Sequence, residues 1–300
     1  MIKFVHPSLE SYRRRAPRPE RREGGKRLNG QPPRRGTPEQ PLVTVVTAVW
    51  NSRFHFARCI ESVLDQTYPN VEYVIIDGAS TDGTVEVIEA YQEGVDYWVT
   101  ERDQSMFDGM NRGIAASSGE LVKIHGADDV MGPDSVGLAV ERYLERRDDA
   151  DSIVIRGDME LVDDDEHVLE LVTASTRVKH SPSVLHPTWY VPMALYERHG
   201  LYDPNTVVAS DYEMYFYLLE AGVEFIHIHE PLTRFRSGGT STATLAGLAD
   251  GFLINRRYQG LRIATQLAAV AGARRSTRMV LEKLIGSDRV NDLRRRMGRS

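Results

Sequence analysis

Three hundred residues with 41% apolar content suffice for one sizeable domain or two small ones, and exclude a wholly disordered chain. The single Cys59 excludes a disulfide framework and a cysteine-based zinc site, and it fits a reducing compartment. No run of 18 apolar residues predicts a transmembrane helix, and the basic N-terminus lacks the apolar stretch of a secretory signal.

The net charge of -6 is unevenly spread. Residues 1–40 hold 11 Lys/Arg against 4 Asp/Glu, residues 41–240 hold 14 against 35, and residues 241–300 hold 12 against 4. An acidic body between basic ends opposes a broad nucleic-acid interface, whereas the ends themselves suit an anionic surface. Residues 1–40, rich in Arg, Pro and Gly, read as a disordered basic arm.

Order is expected from Leu42. LVTVVTAV (42–49) is a continuous apolar and β-branched run, as in a strand covered on both faces of a parallel sheet. Asn51 or Ser52 caps a helix with Phe56, Cys59, Ile60, Val63 and Leu64 at three- and four-residue spacing. VEYVII (71–76) is a second strand ending at Asp77, followed by a helix from near Thr84. VDYWVT (95–100) is a third strand, followed by a helix with Phe107, Met110 and Ile114. LVKIH (121–125) is a fourth, ending in GADD (126–129). This alternation predicts right-handed βαβ units, with ligands beyond the carboxyl ends of the strands.

Strand pieces follow at 152–164 and 167–174, then a helix at 211–222 and a strand at 223–229 ended by Pro231. Residues 41–244 thus read as one domain. Residues 245–300 read as a basic amphipathic helical tail, in which Leu253, Ile254, Leu261, Ile263 and Leu267 alternate with Arg256, Arg257 and Arg262. A second part sets Met279, Val280, Leu281, Leu284 and Ile285 beside Arg274, Arg275, Arg278 and Lys283. Such helices suit an anionic membrane interface, and equally suit packing on the body or on a partner subunit of an oligomer.

Carboxylates recur where strands end: Asp77, then Asp103 and Asp108, then Asp128 and Asp129, with Asp211 before a helix. Each alone fits a helix cap or a solvated side chain. Asp128 and Asp129 suit Mg²⁺ or Mn²⁺, hard cations that take carboxylates together with substrate phosphates. Asp77 suits a base N–H or a ribose hydroxyl, and Ser80 with Thr84 caps the next helix. No G-x-G-x-x-G follows the first strand and no Gly-Lys-Ser/Thr occurs, so the dinucleotide and P-loop fingerprints are absent. His227 and His229 alternate on one strand, a pattern commoner for structural than for chelating histidines.

As an ordered set, VTVVTAVWN (43–51), SVLDQTYPNVEYVIIDGASTDGT (62–84), ERDQSMFDGMNRGIAASSGE (101–120), GADD (126–129), ASDYEM (209–214) and RFRSGGTS (234–241) resemble the inverting family 2 glycosyltransferases of bacterial cell-surface glycan and glycolipid biosynthesis. The resemblance implies an α/β GT-A fold, with a Rossmann-like, mostly parallel sheet between helices. It implies that Thr47, Val49, Asn51 and Ser80 line the nucleotide, that Asp77 binds the base, and that Asp103, Asp108 and Asn111 close the donor side. Asp129, then Asp128, would hold the metal. Arg112 or Arg236 would meet the diphosphate, Asp211 would be the general base, and His186 the acceptor contact. Trp189, with Tyr190 and Tyr202, would offer an aromatic platform to the acceptor or pack in the core.

The implied reaction moves a sugar from a nucleotide-diphosphate donor, commonly UDP-linked, to a hydroxyl of a glycan or lipid-linked acceptor, at the cytoplasmic face of a membrane. A nucleotidyltransferase of sugar metabolism, or a non-catalytic polyanion-binding scaffold, is the alternative.

Overall fold

The computed structural model describes residues 6–173, 184–206, 209–236 and 245–285. In chain order the elements are α1 (Leu9–Arg13), β1 (Arg22–Gly24), β2 (Val43–Val49), α2 (Arg53–Leu64), β3 (Val71–Asp77), α3 (Thr84–Ala90), β4 (Tyr97–Thr100), α4 (Met106–Ala116), β5 (Leu121–Ile124), β6 (Val130–Met131) and α5 (Ser135–Glu145). There follow β7 (Ile153–Val162), β8 (Val168–Val172), β9 (Val191–Pro192), α6 (Met193–His199), α7 (Ser210–Glu220), β10 (Glu224–Arg236), α8 (Leu245–Tyr258) and α9 (Leu261–Ile285).

The first sheet has the order β1-β4-β3-β2-β5-β9, with β4, β3, β2 and β5 parallel and the two outer strands antiparallel. Its central strands read as unbroken apolar runs because both faces are covered. Val46, Val74 and Ile76 pack with Phe107, Ile114 and Met214 on one face. Their chain neighbours Val45, Tyr73 and Ile75 pack with Phe56, Ile60 and Ile88 on the other. A second sheet, β6-β10-β7-β8, is built on the parallel pair β7 and β10.

Two expectations are corrected. Residues 6–40 are ordered against the body, where the sequence suggests a disordered arm. Leu9 is buried, and β1 pairs antiparallel with β4. The arm's arginines meet carboxylates of the acidic body: Arg27 lies 2.6 Å from the buried Glu72, Arg15 2.6 Å from the buried Asp108, and Arg34 3.2 Å from Asp96. Charge pairing thus adds to the hold that Leu9 and the β1–β4 ladder give a segment poor in apolar residues.

Pro231 does not end β10. The ladder shifts register on both sides of it, so the residue without an N–H sits at a bulge and the strand runs on to Arg236.

Through α8 the tail packs on the body, one of the settings its sequence suits. In α8, Ile254 and Asn255 are buried, Tyr212 donates to Asn255 at 3.0 Å, and Tyr258 stacks on Phe216 of α7. Arg256, Arg257 and Arg262 remain exposed. The side chains of the second amphipathic stretch, from Arg274 onward, and the glycines 238 and 239 lie outside the described residues.

Candidate functional site

Parallel pairing sets the site. Val49 is in register with Asp77, and Val46 with Ile124, so Asp77, Asn51 and the turn after β5 all leave the carboxyl edge of adjacent strands. Asp77 is fully buried; it accepts the Ser80 N–H at 3.0 Å and hydrogen bonds from the Ser80 and Thr100 hydroxyls. Asn51, at φ 51°, gives its N–H to Ser80 at 2.8 Å and takes the Thr81 N–H on its side chain at 2.9 Å. The loops after β2 and β3 are therefore one hydrogen-bonded unit. Val49 is buried at the strand end, and Thr47 turns its hydroxyl to Tyr73 at 3.1 Å, which leaves only its backbone for a ligand.

Asp103 follows β4, the next strand along that edge. A Cβ on Gly78 would stand 2.8 Å from Asp103 Oδ2, and one on Gly109 would stand 3.1 Å from it, so this carboxylate fills space that two glycines leave open. Burial, then the charges of Asp108 and Asp77, push its carboxyl up to about 6.

Asp108 and Asn111 are enclosed: Asp108 is 1% exposed with both oxygens engaged, and the Asn111 amide brackets the Tyr202 backbone at 2.7 and 3.0 Å. Both position neighbours instead of facing the open site. Arg112 is paired with Glu101, and burial, followed by repulsion from Arg15, Arg18 and Arg21, lowers its guanidinium to about 10.

The Gly-Ala-Asp-Asp turn is held by the Cys59 thiol on the Gly126 carbonyl at 3.2 Å. Asp129 is 2% exposed; one oxygen accepts the Arg236 N–H at 3.1 Å and the other lies over Gly126, where a Cβ would be 2.3 Å away. Burial, then the Asp128 charge, raise Asp129 to about 7. Two adjacent carboxylates, one enclosed and one half-buried, whose repulsion Arg236 and Lys123 offset only in part, are a donor set that fits a hard divalent cation. Arg236 reaches the Asp128 carbonyl at 3.3 Å and Asp164 at 3.1 Å.

Asp211 stands in the first turn of α7, partly buried, and burial raises it to about 6. Its charge acts on Tyr202, whose hydroxyl bonds His186 Nε2 at 2.8 Å. His186 is lowered to about 3 by burial and then by Lys123, the same lysine whose charge acts on Asp129.

Trp189 does not form an acceptor platform: it is 2% exposed, bonded to the Val184 carbonyl at 2.7 Å and packed against Tyr215 and Phe225. Tyr190 and Tyr202 are buried too. On the second sheet, His227 bonds Asp158 at 2.9 Å and stands edge-on to His229; the three form a group whose potential ligand atoms all lie within 4.8 Å of one another.

Sequence reasoning missed Lys123 and His125. Lys123 is fully buried, bonded to the Pro187 carbonyl and set over the Tyr190 ring, and burial lowers it to about 7. Both nitrogens of the buried His125 lack a hydrogen-bond partner. The signal was present: two ionisable side chains inside the strand-like run LVKIH. A cavity of about 200 Å³ lined by Lys26, Arg34, Glu72 and Asp96 lies at the opposite, amino ends of β3 and β4.

A mostly parallel sheet with acidic residues at the carboxyl edge of successive strands defines the GT-A class of α/β protein. The chain belongs to glycosyl transferase family 2, whose model matches residues 44–203. It is similar to the uncharacterized glycosyltransferase Rv1514c of Mycobacterium tuberculosis (strain ATCC 25618 / H37Rv), 40% identical over 103 residues, a match covering 34% of this chain and 39% of that protein. It is 27% identical over 217 residues to the uncharacterized glycosyltransferase RT0329 of Rickettsia typhi (strain Wilmington), covering 69% of this chain and 67% of that one. In fold it resembles S. aureus TarS 1-349 in complex with UDP-GlcNAc, with TM-score 0.55, 17% identity, and 81% and 76% of the two chains covered. It likewise resembles the mannosyltransferase PcManGT of Pyrobaculum calidifontis, in complex with GDP-Man and Mn²⁺, with TM-score 0.54, 17% identity, and 88% and 87% covered.

Proposed function

We propose that this chain is a metal-assisted, inverting glycosyltransferase that moves a sugar from a nucleotide-diphosphate donor to a hydroxyl of a glycan or lipid-linked acceptor. One observation carries the reading: Asp77, Asp103 and the Asp128–Asp129 pair leave the carboxyl ends of neighbouring strands, and Asp211 opens the helix whose Met214 packs on that same sheet. The bound nucleotides of TarS and PcManGT, and the 30% identity over 110 residues to the putative teichuronic acid biosynthesis glycosyltransferase TuaG of Bacillus subtilis (strain 168), support it.

Asp77 is rigid, with Ser80 and Thr100 fixing its carboxylate for the base or ribose. Asn51 and the Val49 backbone line the nucleotide, and Asp103 faces the donor sugar. Asp129 and Asp128 would hold Mn²⁺ or Mg²⁺, which neutralises charge developing on the departing diphosphate. Arg236 borders the same turn. Asp211 takes the acceptor proton, and one displacement from the face opposite the leaving group inverts the anomeric carbon. A carboxyl titrating near 6 is ionised at neutral pH and still basic enough for that task. His186, held neutral beside Tyr202, orders the acceptor side.

Incubating the chain with nucleotide sugars, acceptor glycans and Mn²⁺ tests the reading: nucleoside diphosphate should be released with a product of inverted anomeric configuration. Release of inorganic diphosphate instead would select nucleotidyl transfer.

We propose further that the enzyme works at the inner face of a membrane. Among the described residues no helix is long and apolar enough to cross one. Exposed Arg256, Arg257 and Arg262 suit anionic headgroups. Replacing the three by Glu should abolish sedimentation with anionic vesicles; unchanged sedimentation sinks this placement.

A further inference from the structure

Residues 6–40 precede the stretch that matches the family, yet they reach the proposed donor side. Tyr12 and Arg15 donate to the same oxygen, Asp108 Oδ1, at 2.9 and 2.6 Å. Asp108 Oδ2 accepts the Gln104 N–H at 3.1 Å. Ser105 in turn accepts the Asp108 N–H at 3.2 Å, so the first turn of α4 is braced reciprocally, in the manner of a capping box. Gln104 directly follows Asp103, the carboxylate seated over Gly78 and Gly109. Contacts therefore run unbroken from Arg15 through Asp108 and Gln104 to Asp103.

Arg15 is not what keeps the segment docked. Leu9 is in the core, His6 lies 3.1 Å from Glu213, and β1 is paired along β4. The Arg18 N–H adds a bond to Glu101 at 3.0 Å. What Arg15 alone provides is a cation on a carboxylate that is 1% exposed, where water cannot replace a lost partner.

We propose that the N-terminal segment is a wall of the donor site and that Arg15 is a positioning residue, holding Asp108 so that the 103–108 turn keeps Asp103 in place for a nucleotide-diphosphate sugar. This rests on the reading of the site given above. It differs from a general packing role in what it predicts: loss of Arg15 disturbs one turn and donor affinity, and leaves the sheet intact.

The test uses the full chain with Arg15→Ala, Arg15→Lys and, as control, Arg14→Ala, an exposed residue whose ion pair is with Glu10 of the helix it caps. UDP and GDP are titrated with Mn²⁺ by calorimetry, and amide hydrogen exchange is followed in parallel. Arg15→Ala should weaken the nucleotide that wild type binds by about tenfold. It should also speed exchange at Gln104 while β2 and β3 stay protected. Arg15→Lys should recover part of the affinity, and Arg14→Ala should match wild type. Equal binding by Arg15→Ala and wild type overturns the inference and leaves the glycosyltransferase reading standing. Loss of protection in β2 and β3 together with binding also overturns it, since the role is then general stability. Binding of neither nucleotide by wild type removes the donor reading itself, and this inference with it.

Discussion

The Asp103 carboxylate occupies the place where a side chain on Gly78 would begin: a Cβ there would stand 2.8 Å from Oδ2 and 3.2 Å from Cγ. Gly78 also gives its N–H to the Val49 carbonyl at 2.9 Å, so the glycine is pinned to β2 and cannot retreat. Gly78→Ala should therefore displace Asp103. Overpacking of this kind costs about 1–3 kcal/mol, visible as a lower midpoint in denaturant. Nucleotide affinity should fall with it, whereas alanine at Gly137, which has open space around it, should leave affinity unchanged.

The pH dependence follows from Asp211. Its folded-state value of about 6 exceeds the ordinary 3.8, so the folded chain favours the protonated form. The stability this gives is present below the ordinary value and is lost as pH rises through about 6. Transfer needs the carboxylate and should rise through the same interval. Asp211→Asn should reduce transfer by about 10²–10⁴-fold. At pH 7.5 it should also stabilise the fold by roughly 1–2 kcal/mol, since no charge is then buried. Asp103 titrates in the same range, so the assignment depends on Asp211→Asn still binding the nucleotide. A variant that binds donor and transfers normally would refute the base.

The central sheet was legible because its strands are buried on both faces and so read as unbroken apolar runs. The run 42–49 became Val43–Val49, and 71–76 became Val71–Asp77. The carboxylates were legible by position, since each follows such a run. What they touch was not. Asp108 and Asn111 read like donor ligands, but Tyr12, Arg15 and the Tyr202 backbone, 90 or more residues away in sequence, take up their polar atoms. The ordered arm was illegible for the same reason: Leu9, the β1–β4 ladder and arginines paired with carboxylates of the body hold it, and composition alone does not reveal a partner. Trp189 failed differently, because an aromatic side chain reads alike whether it meets a sugar or Tyr215 and Phe225.

Two substitutions should disable the proposed metal site at the Asp128–Asp129 turn by different routes. Asp129→Asn removes the enclosed carboxylate, and Gly126→Ala places a Cβ 2.3 Å from Asp129 Oδ2. Each should weaken Mn²⁺ binding in the presence of nucleotide by at least about tenfold, read by calorimetry. Asp128→Asn, at a half-buried position, should cost less. Asp129→Asn alone should raise the melting temperature of the metal-free chain, because burial disfavours that charge. It should also abolish the further rise that Mn²⁺ gives wild type. A metal response that survives Asp129→Asn would move the cation elsewhere.

Glu213 ties the N-terminal segment and α8 to the helix that carries Asp211. It is fully buried, lies 3.1 Å from His6 Nε2, and accepts the Tyr258 hydroxyl at 2.5 Å. Burial lowers the His6 value, but the bond to Glu213 and its charge outweigh that and leave it above 6.5. The stability contributed by His6⁺ is thus complete below 6.5 and disappears as pH rises through the raised value. Glu213→Gln should destabilise the fold by about 1–3 kcal/mol at pH 6 and by less at pH 8, measured by denaturant unfolding. The wild-type decline between those two pH values should flatten in the variant. Protease should cut the variant near residues 6–15 sooner than wild type, because the clasp on His6 is gone while β1 remains paired with β4. Equal losses at both pH values would mean that Glu213 acts through Tyr258 alone, and that His6 holds the arm through its ring contact with Tyr217 and its bond to the Leu201 carbonyl.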